Sequence, residues 1–299
     1  MSFRSLVAQF VVFSFVGCAS SPSTTPSFVR SESIEISKNA LEWNRAFDKT
    51  VKEHRLRATY PHSGFAECRE TKEIPDTFLC LFNSQEEMGY ALSRASCFIE
   101  GSFCGHPKGT VVGFSDPGFR AAILQINGYD LKGSDLLRFH KAALKKCEEV
   151  KEPDFCLNHY ENRAFQDFII PMATQSPGSV LITFARFSAQ PWNQTLVHEI
   201  MHAQYFQDKK YSEVVDRFWK NELTETDREN IRKALSKAYD PKDEHLMINE
   251  FQAYILQTDA QAPAALLRDF VPRYRSRMMK KMSEAGIRPI EIQLPSATK

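Results

Sequence analysis

Five residues, His198-Glu199-Ile200-Met201-His202, constrain this chain more than any other stretch. On a helix of 3.6 residues per turn, histidines four apart project from one face, so their imidazoles can share one metal ion. The neighbours point to such a helix: Leu196, Val197, Ile200, Met201 and Ala203 place apolar side chains around the pair, as in a helix crossing a core. Pro191 and Asn193 supply its start. Glu199 stands beside the pair, where a carboxylate can take a proton from a water whose pKa zinc has lowered toward ~7.

Catalytic zinc takes three protein ligands and keeps one open position, so the fold must bring a third His, Asp or Glu to the pair. Glu250 is the best candidate. It lies in His245-Leu246-Met247-Ile248-Asn249-Glu250-Phe251-Gln252-Ala253-Tyr254-Ile255-Leu256-Gln257, a second strongly apolar helical segment. A carboxylate among such neighbours needs a partner, because burying it unpaired is costly. Asn249 is a candidate acceptor for the outward ring nitrogen of a ligating histidine. Upstream, Ser179 to Phe187 is β-branched and aromatic, follows Pro177-Gly178, and reads as a strand leading into the histidine helix.

The HExxH string, with Glu250 in Asn249-Glu250-x-x-Ala253 48 residues after His202, resembles the gluzincin group of thermolysin-like zinc metallopeptidases. The resemblance covers about a quarter of the chain, from Val180 to Gln257, and identifies no particular peptidase family. It implies a zincin-like fold, Zn2+ held by His198, His202 and Glu250, Glu199 as general base, and the Val180 to Phe187 strand as the rim that holds substrate backbone. The metzincin pattern is absent, since Ala203-Gln204-Tyr205-Phe206-Gln207-Asp208 lacks its glycine and third histidine. A donor for the developing oxyanion is expected from His245 or Tyr254, the latter four residues after Glu250 on the same helical face; Tyr205 and Tyr211 are further candidates.

The amino terminus speaks for export. Met1-Ser2-Phe3-Arg4 carries one basic residue, Leu6 to Val16 is mostly apolar, and Phe15-Val16-Gly17-Cys18 precedes a Ser/Thr/Pro tract from Ala19 to Ser27. This resembles a bacterial lipoprotein signal, which implies lipidation of Cys18 and a membrane anchor facing the periplasm or exterior; Phe15 stands where leucine is usual. An ordinary secretory signal cleaved nearby is the alternative. The remaining six cysteines, Cys68, Cys80, Cys97, Cys104, Cys147 and Cys156, suit three disulfides in an oxidising compartment. Neighbour pairing is the simplest of the 15 connectivities. A structural zinc cluster competes, though no C-x-x-C occurs.

The expected organisation is a signal over 1–17, a tether over 18–30, a helical cysteine-containing region over 31–175 and a zincin-like region over 176–299, together an α+β, mainly helical fold with a small sheet beside the HExxH helix. Within it, Ile34 to Arg57 suggests a polar helix, and Ser84 with Glu87 forms a capping box opening a helix to about Cys97. A short strand is expected at Thr110 to Phe114, with helices over Asp135 to Glu149 and over Glu161 to Ile170, the second stopped near Pro171. Ser212 to Glu222 and Asp227 to Tyr239 read as helices, the latter capped by Thr226 with Glu229. The basic amphipathic stretch Ala264 to Ala285 reads as a helix packing one face on the domain, kinked or split at Pro272; contact with an anionic surface is the alternative.

A net charge of +1 gives no support for a nucleic-acid partner. The partners implied are a peptide or protein substrate and, through Cys18, a membrane. A non-catalytic envelope lipoprotein of the same fold, and a zinc amidase acting on cell-wall peptide, are the competing readings.

Overall fold

Two apolar runs build the centre of the protein. Thr77 to Phe82 is buried throughout, as is Val180 to Ala185, the pattern of strands covered on both faces. The computed structural model describes residues 57–58, 66–71, 73–101, 104–123, 126–187, 192–257 and 266–289, all within the compact unit Ala40–Lys299. The signal-type segment, the tether, Cys18 and nearly all of the Ile34 to Arg57 stretch lie outside them.

The sheet comprises β1 (Arg57–Ala58), β2 (Ala66–Glu70), β3 (Thr77–Ser84), β4 (Gly128–Lys132) and β5 (Val180–Phe187), in the order β1-β2-β3-β5-β4. It is mixed: β3 runs parallel to β5, and the other pairs are antiparallel. The parallel pair joins the 31–175 and 176–299 regions in one sheet. The β5 strand is paired on both sides, and among the described residues β4 ends the sheet beside it. The expected strand at Thr110 to Phe114 does not form; the strand of that region is β4, where Tyr129 and Leu131 point into the core and Gly128, Asp130 and Lys132 toward the other face.

One face of the sheet carries α1 (Gln85–Glu100), α3 (Gly133–Val150), α4 (His159–Ala164) and α5 (Ile170–Gln175), whose Met88, Leu92, Phe139 and Met172 meet Phe78, Phe82 and Leu181. Between α1 and β4 lies α2 (Pro117–Ala122). The other face carries α6 (Trp192–Gln207), α7 (Lys209–Glu222), α8 (Glu225–Leu235), α9 (Glu244–Leu256) and α10 (Val271–Glu284), packed on Leu79, Leu81, Ile182 and Phe184. Among the described residues, no helix is long and apolar enough to cross a membrane.

Local chemistry sets these boundaries. Ser84 Oγ accepts from Glu87 N at 3.1 Å, and α1 then runs beyond Cys97 to Glu100. The cap of α8 is Thr224, not Thr226, because Thr224 Oγ1 accepts from Asp227 N, and the helix ends at Leu235. Pro171 does not stop its segment: a π-helical turn at Phe165–Ile169 leads into α5, with Pro171 in its first turn. Pro272 likewise sits in the first turn of α10, where a missing N–H costs nothing, and neither kinks nor splits it. That helix buries Tyr274, Met278 and Met282 in the core and turns basic residues outward, Arg277 pairing with Glu222 at 2.7 Å. Cys68–Cys80, Cys97–Cys104 and Cys147–Cys156 form the three neighbour disulfides.

A buried carboxylate ties α8 to α10. Asp227 accepts from Thr224 Oγ1 and Tyr274 Oη at 2.6 Å each and from Arg273 at 2.7 Å. Burial pushes its pKa up, but these hydrogen bonds and the Arg273 charge outweigh that and hold it below the ordinary 3.8. A carboxyl lowered in the folded state contributes stability above its unfolded pKa and loses it as pH falls through the folded value. Asp227→Asn is expected to cost about 2 kcal/mol at pH 7. The gap from wild type should shrink once pH drops below 3.8; an equal gap in urea unfolding at neutral and strongly acid pH would refute the assignment.

Candidate metal centre

The HExxH segment lies on α6, which crosses the sheet beside β4 and β5, and Glu250 lies on α9, packed alongside. A buried polar clamp fixes the two helices: Gln252 Nε2 donates to Met201 O at 3.2 Å and to Asn249 Oδ1 at 3.2 Å, while Tyr211 Oη donates to Gln252 Oε1 at 2.6 Å. Tyr211 and Asn249 are thereby engaged in holding the helices together.

His198, His202 and Glu250 converge. The two Nε2 atoms are 3.1 Å apart, with Glu250 Oε2 3.5 Å from His198 and Oε1 3.7 Å from His202. The carboxylate distances exceed those of ordinary hydrogen bonds. Donors bound at ~2.0–2.2 Å to a tetrahedral ion are spaced ~3.3–3.6 Å apart, close to all three separations. Glu250 Oε2 is buried without a hydrogen-bond partner, as an atom reserved for an ion would be. The group can hold a metal ion.

The ring orientations agree. Gln257 Oε1 lies 3.1 Å from His198 Nδ1. An amide oxygen only accepts, so Nδ1 carries the proton and Nε2 keeps its lone pair for the metal position. Tyr254 packs over His198, ring centroids 4.6 Å apart, and its hydroxyl lies 3.4 Å from that of Tyr239.

Charge is crowded here. Burial, with Asp130, Glu250 and Glu100 nearby, raises the Glu199 pKa well above the ordinary carboxyl value. With no cation in the site, burial and Glu250 push Asp130 up to about 8, and burial with Asp130 does the same to Glu100 at the end of α1. Burial acts on Glu250 too, but His202, His198 and the Tyr239 hydroxyl outweigh it and lower its pKa. Mutually repelling carboxyl groups beside two imidazoles make a charge distribution that a divalent cation would stabilise.

Glu199 reaches this pocket because Gly128 lets β4 approach α6. A Cβ at position 128 would fall 2.6 Å from Thr195 Cγ2, 2.8 Å from Glu199 Oε1 and 2.8 Å from Thr183 O. His245, by contrast, is exposed at the start of α9 with its ring against Tyr205, 5.3 Å between centroids, and Tyr205 donates to Asp216 at 2.7 Å. Its electrostatic neighbours are Lys132, Asp243, Asp216 and Lys108, not the three donors. Tyr239, Asp130 and Gln257 are the residues beside the candidate group that sequence reasoning missed. Only Asp130 and Gln257 carried any signal: one alternates along a five-residue strand, the other closes the Glu250 helix.

Fold and site together define an α+β, mainly helical protein with a His-His-Glu group that could hold a metal ion between a sheet-flanking helix and its neighbour. No family model, curated protein or solved structure matches the chain.

Proposed function

We propose that this chain is a zinc-dependent metallopeptidase of the gluzincin type, with His198, His202 and Glu250 as ligands and Glu199 as general base. The observation that carries the reading is the convergence of those three donors at tetrahedral spacing, with the Glu199 carboxylate on the adjoining turn. Zinc, when bound, supplies a Lewis acid that polarises a carbonyl and acidifies water. Glu199, next to His198 in the same helical turn, would take the proton of the attacking water and pass it to the departing amine. Tyr254, beside His198 and neutral at physiological pH, is the proposed donor to the oxyanion.

Substrate backbone is proposed to pair with β4. Its partner β5 is flanked on both sides, whereas β4 ends the sheet beside α6. Export fits the three disulfides, which persist in oxidising compartments. Lipidation at Cys18, anchoring the protein in a bacterial envelope, completes the proposal.

The test is zinc content by elemental analysis after dialysis, wild type against Glu250→Ala. About one zinc per wild-type chain, and a small fraction of that in the variant, is expected for a three-ligand site. A wild-type chain without zinc would overturn the metallopeptidase reading, and full retention in the variant would remove Glu250 from the ligand set.

A further inference from the structure

His202 is 1% exposed, and its two ring nitrogens have different fates. Nε2 faces His198 and Glu250, while Nδ1 is buried without a hydrogen-bond partner. A buried ring nitrogen in that state calls for an explanation, since most buried polar atoms are satisfied. The acceptor facing it is Asp130 Oδ2, 3.8 Å away, on a β-strand rather than on either ligand helix. Asn249, which precedes Glu250, accepts from Gln252 instead.

We propose that Asp130 is a positioning residue for the metal centre: its carboxylate accepts the Nδ1 proton of His202, fixes the tautomer that leaves Nε2 free, and holds the ring at the ligand angle. The inference rests on the zinc-site reading above. His198 has the matching device in Gln257, so each imidazole is oriented from outside the ligand set, one by a neutral amide at the end of α9 and one by a carboxylate on the edge strand. A carboxylate makes the stronger hydrogen bond and raises the basicity of the ring it holds. The strand delivers Asp130 through two local features. Period-two alternation turns Asp130 away from buried Tyr129 and Leu131, and Gly128 admits the close approach to α6.

Asp130, Glu199 and His202 also bring ligand atoms within 4.8 Å of one another, the geometry of a second ion. The positioning role is favoured because a second ion would need His202 to bind metal through both nitrogens, giving up its last ring proton. It would also occupy the carboxylate of Glu199.

The deciding experiment titrates zinc into full-length wild type, Asp130→Asn and Asp130→Ala against a chromophoric chelator, recording stoichiometry and affinity, with melting temperatures of the metal-free proteins. One zinc per wild-type chain is expected. Asp130→Ala should bind about 10–100-fold more weakly, and Asp130→Asn, whose amide oxygen still accepts, should recover part of the loss. Metal-free melting temperatures no lower than wild type would separate this effect from damage to the fold, and if the alanine variant misfolds the asparagine variant carries the comparison. Equal affinities in a zinc-binding wild type, or two zincs in wild type and one in Asp130→Ala, would overturn the positioning role and leave the zinc site standing. A wild type that takes up no zinc would remove both.

Discussion

Glu199→Gln is expected to lower turnover of a fluorogenic peptide mixture by about 10²–10⁴-fold while zinc per chain stays unchanged. The two measurements separate because Glu199 lies outside the proposed ligand set of His198, His202 and Glu250. Glutamine keeps the volume of the buried side chain and removes only its capacity to take a proton. It also removes one of four crowded carboxylates, so the metal-free variant should unfold no earlier than wild type. Loss of zinc in Glu199→Gln would mean that the carboxylate holds metal. Undiminished peptide hydrolysis would remove Glu199 as the base. A zinc-replete wild type that cleaves no peptide, including cell-wall peptide, would point to the non-catalytic envelope lipoprotein.

The parts of this site that could be read from sequence are those encoded locally. His198, His202 and Glu250 each sit in an apolar helical pattern long enough to fix secondary structure and burial, and the structure brings them together. Tyr254 follows from Glu250 by one helical turn and lies against His198, whereas His245, five residues before Glu250, turns out toward Tyr205. Spacing along a helix gives direction only where the period places residues on one face. That the Val180 to Phe187 strand lies inside the sheet was not legible because pairing order is a long-range property: nothing in Val180 to Phe187 says that Gly128–Lys132 will cover its far side. β4 itself spans five residues with one apolar face of two, too short a signal to stand out, and with it Asp130 was missed. Tyr239 closes the stretch read as a helix, but that helix ends at Leu235 and leaves Tyr239 in the connection to α9, where the helical period gives no direction. Cysteine pairing was legible because each partner is its nearest neighbour in sequence.

The largest stability effect is expected far from the metal donors, at Arg94. Its guanidinium is fully buried, pairs with equally buried Glu161 at 3.0 Å, donates to the carbonyls of Asp154, Phe155 and Cys156, and stacks 4.1 Å over Phe114. Glu161 also completes a capping box, accepting from Asn158 N at 2.9 Å while Asn158 Oδ1 accepts from Glu161 N at 2.8 Å. Arg94→Met keeps much of the volume but leaves a carboxylate buried without its cation, a change that costs about 3–5 kcal/mol. Adding Glu161→Gln removes the stranded charge and retains a side chain able to close the capping box. The double variant should therefore be more stable than Arg94→Met alone. It should not regain wild-type stability, because the three carbonyls lose their shared donor and unsatisfied buried groups cost about 1–3 kcal/mol. Urea unfolding with the disulfides intact measures all four proteins of the cycle, wild type, Arg94→Met, Glu161→Gln and the double variant. An Arg94→Met loss under about 1 kcal/mol, or a double variant as unstable as the sum of the two single changes, would mean that the pair is not the linchpin of this region. The pair joins α1, which carries Arg94, to α4, which carries Glu161, and α1 ends at Glu100, whose carboxyl feels the charges of Asp130 and Glu250. A loosened α1 should therefore change zinc affinity as well as stability, linking the disulfide-braced face of the sheet to the chemistry proposed on the other.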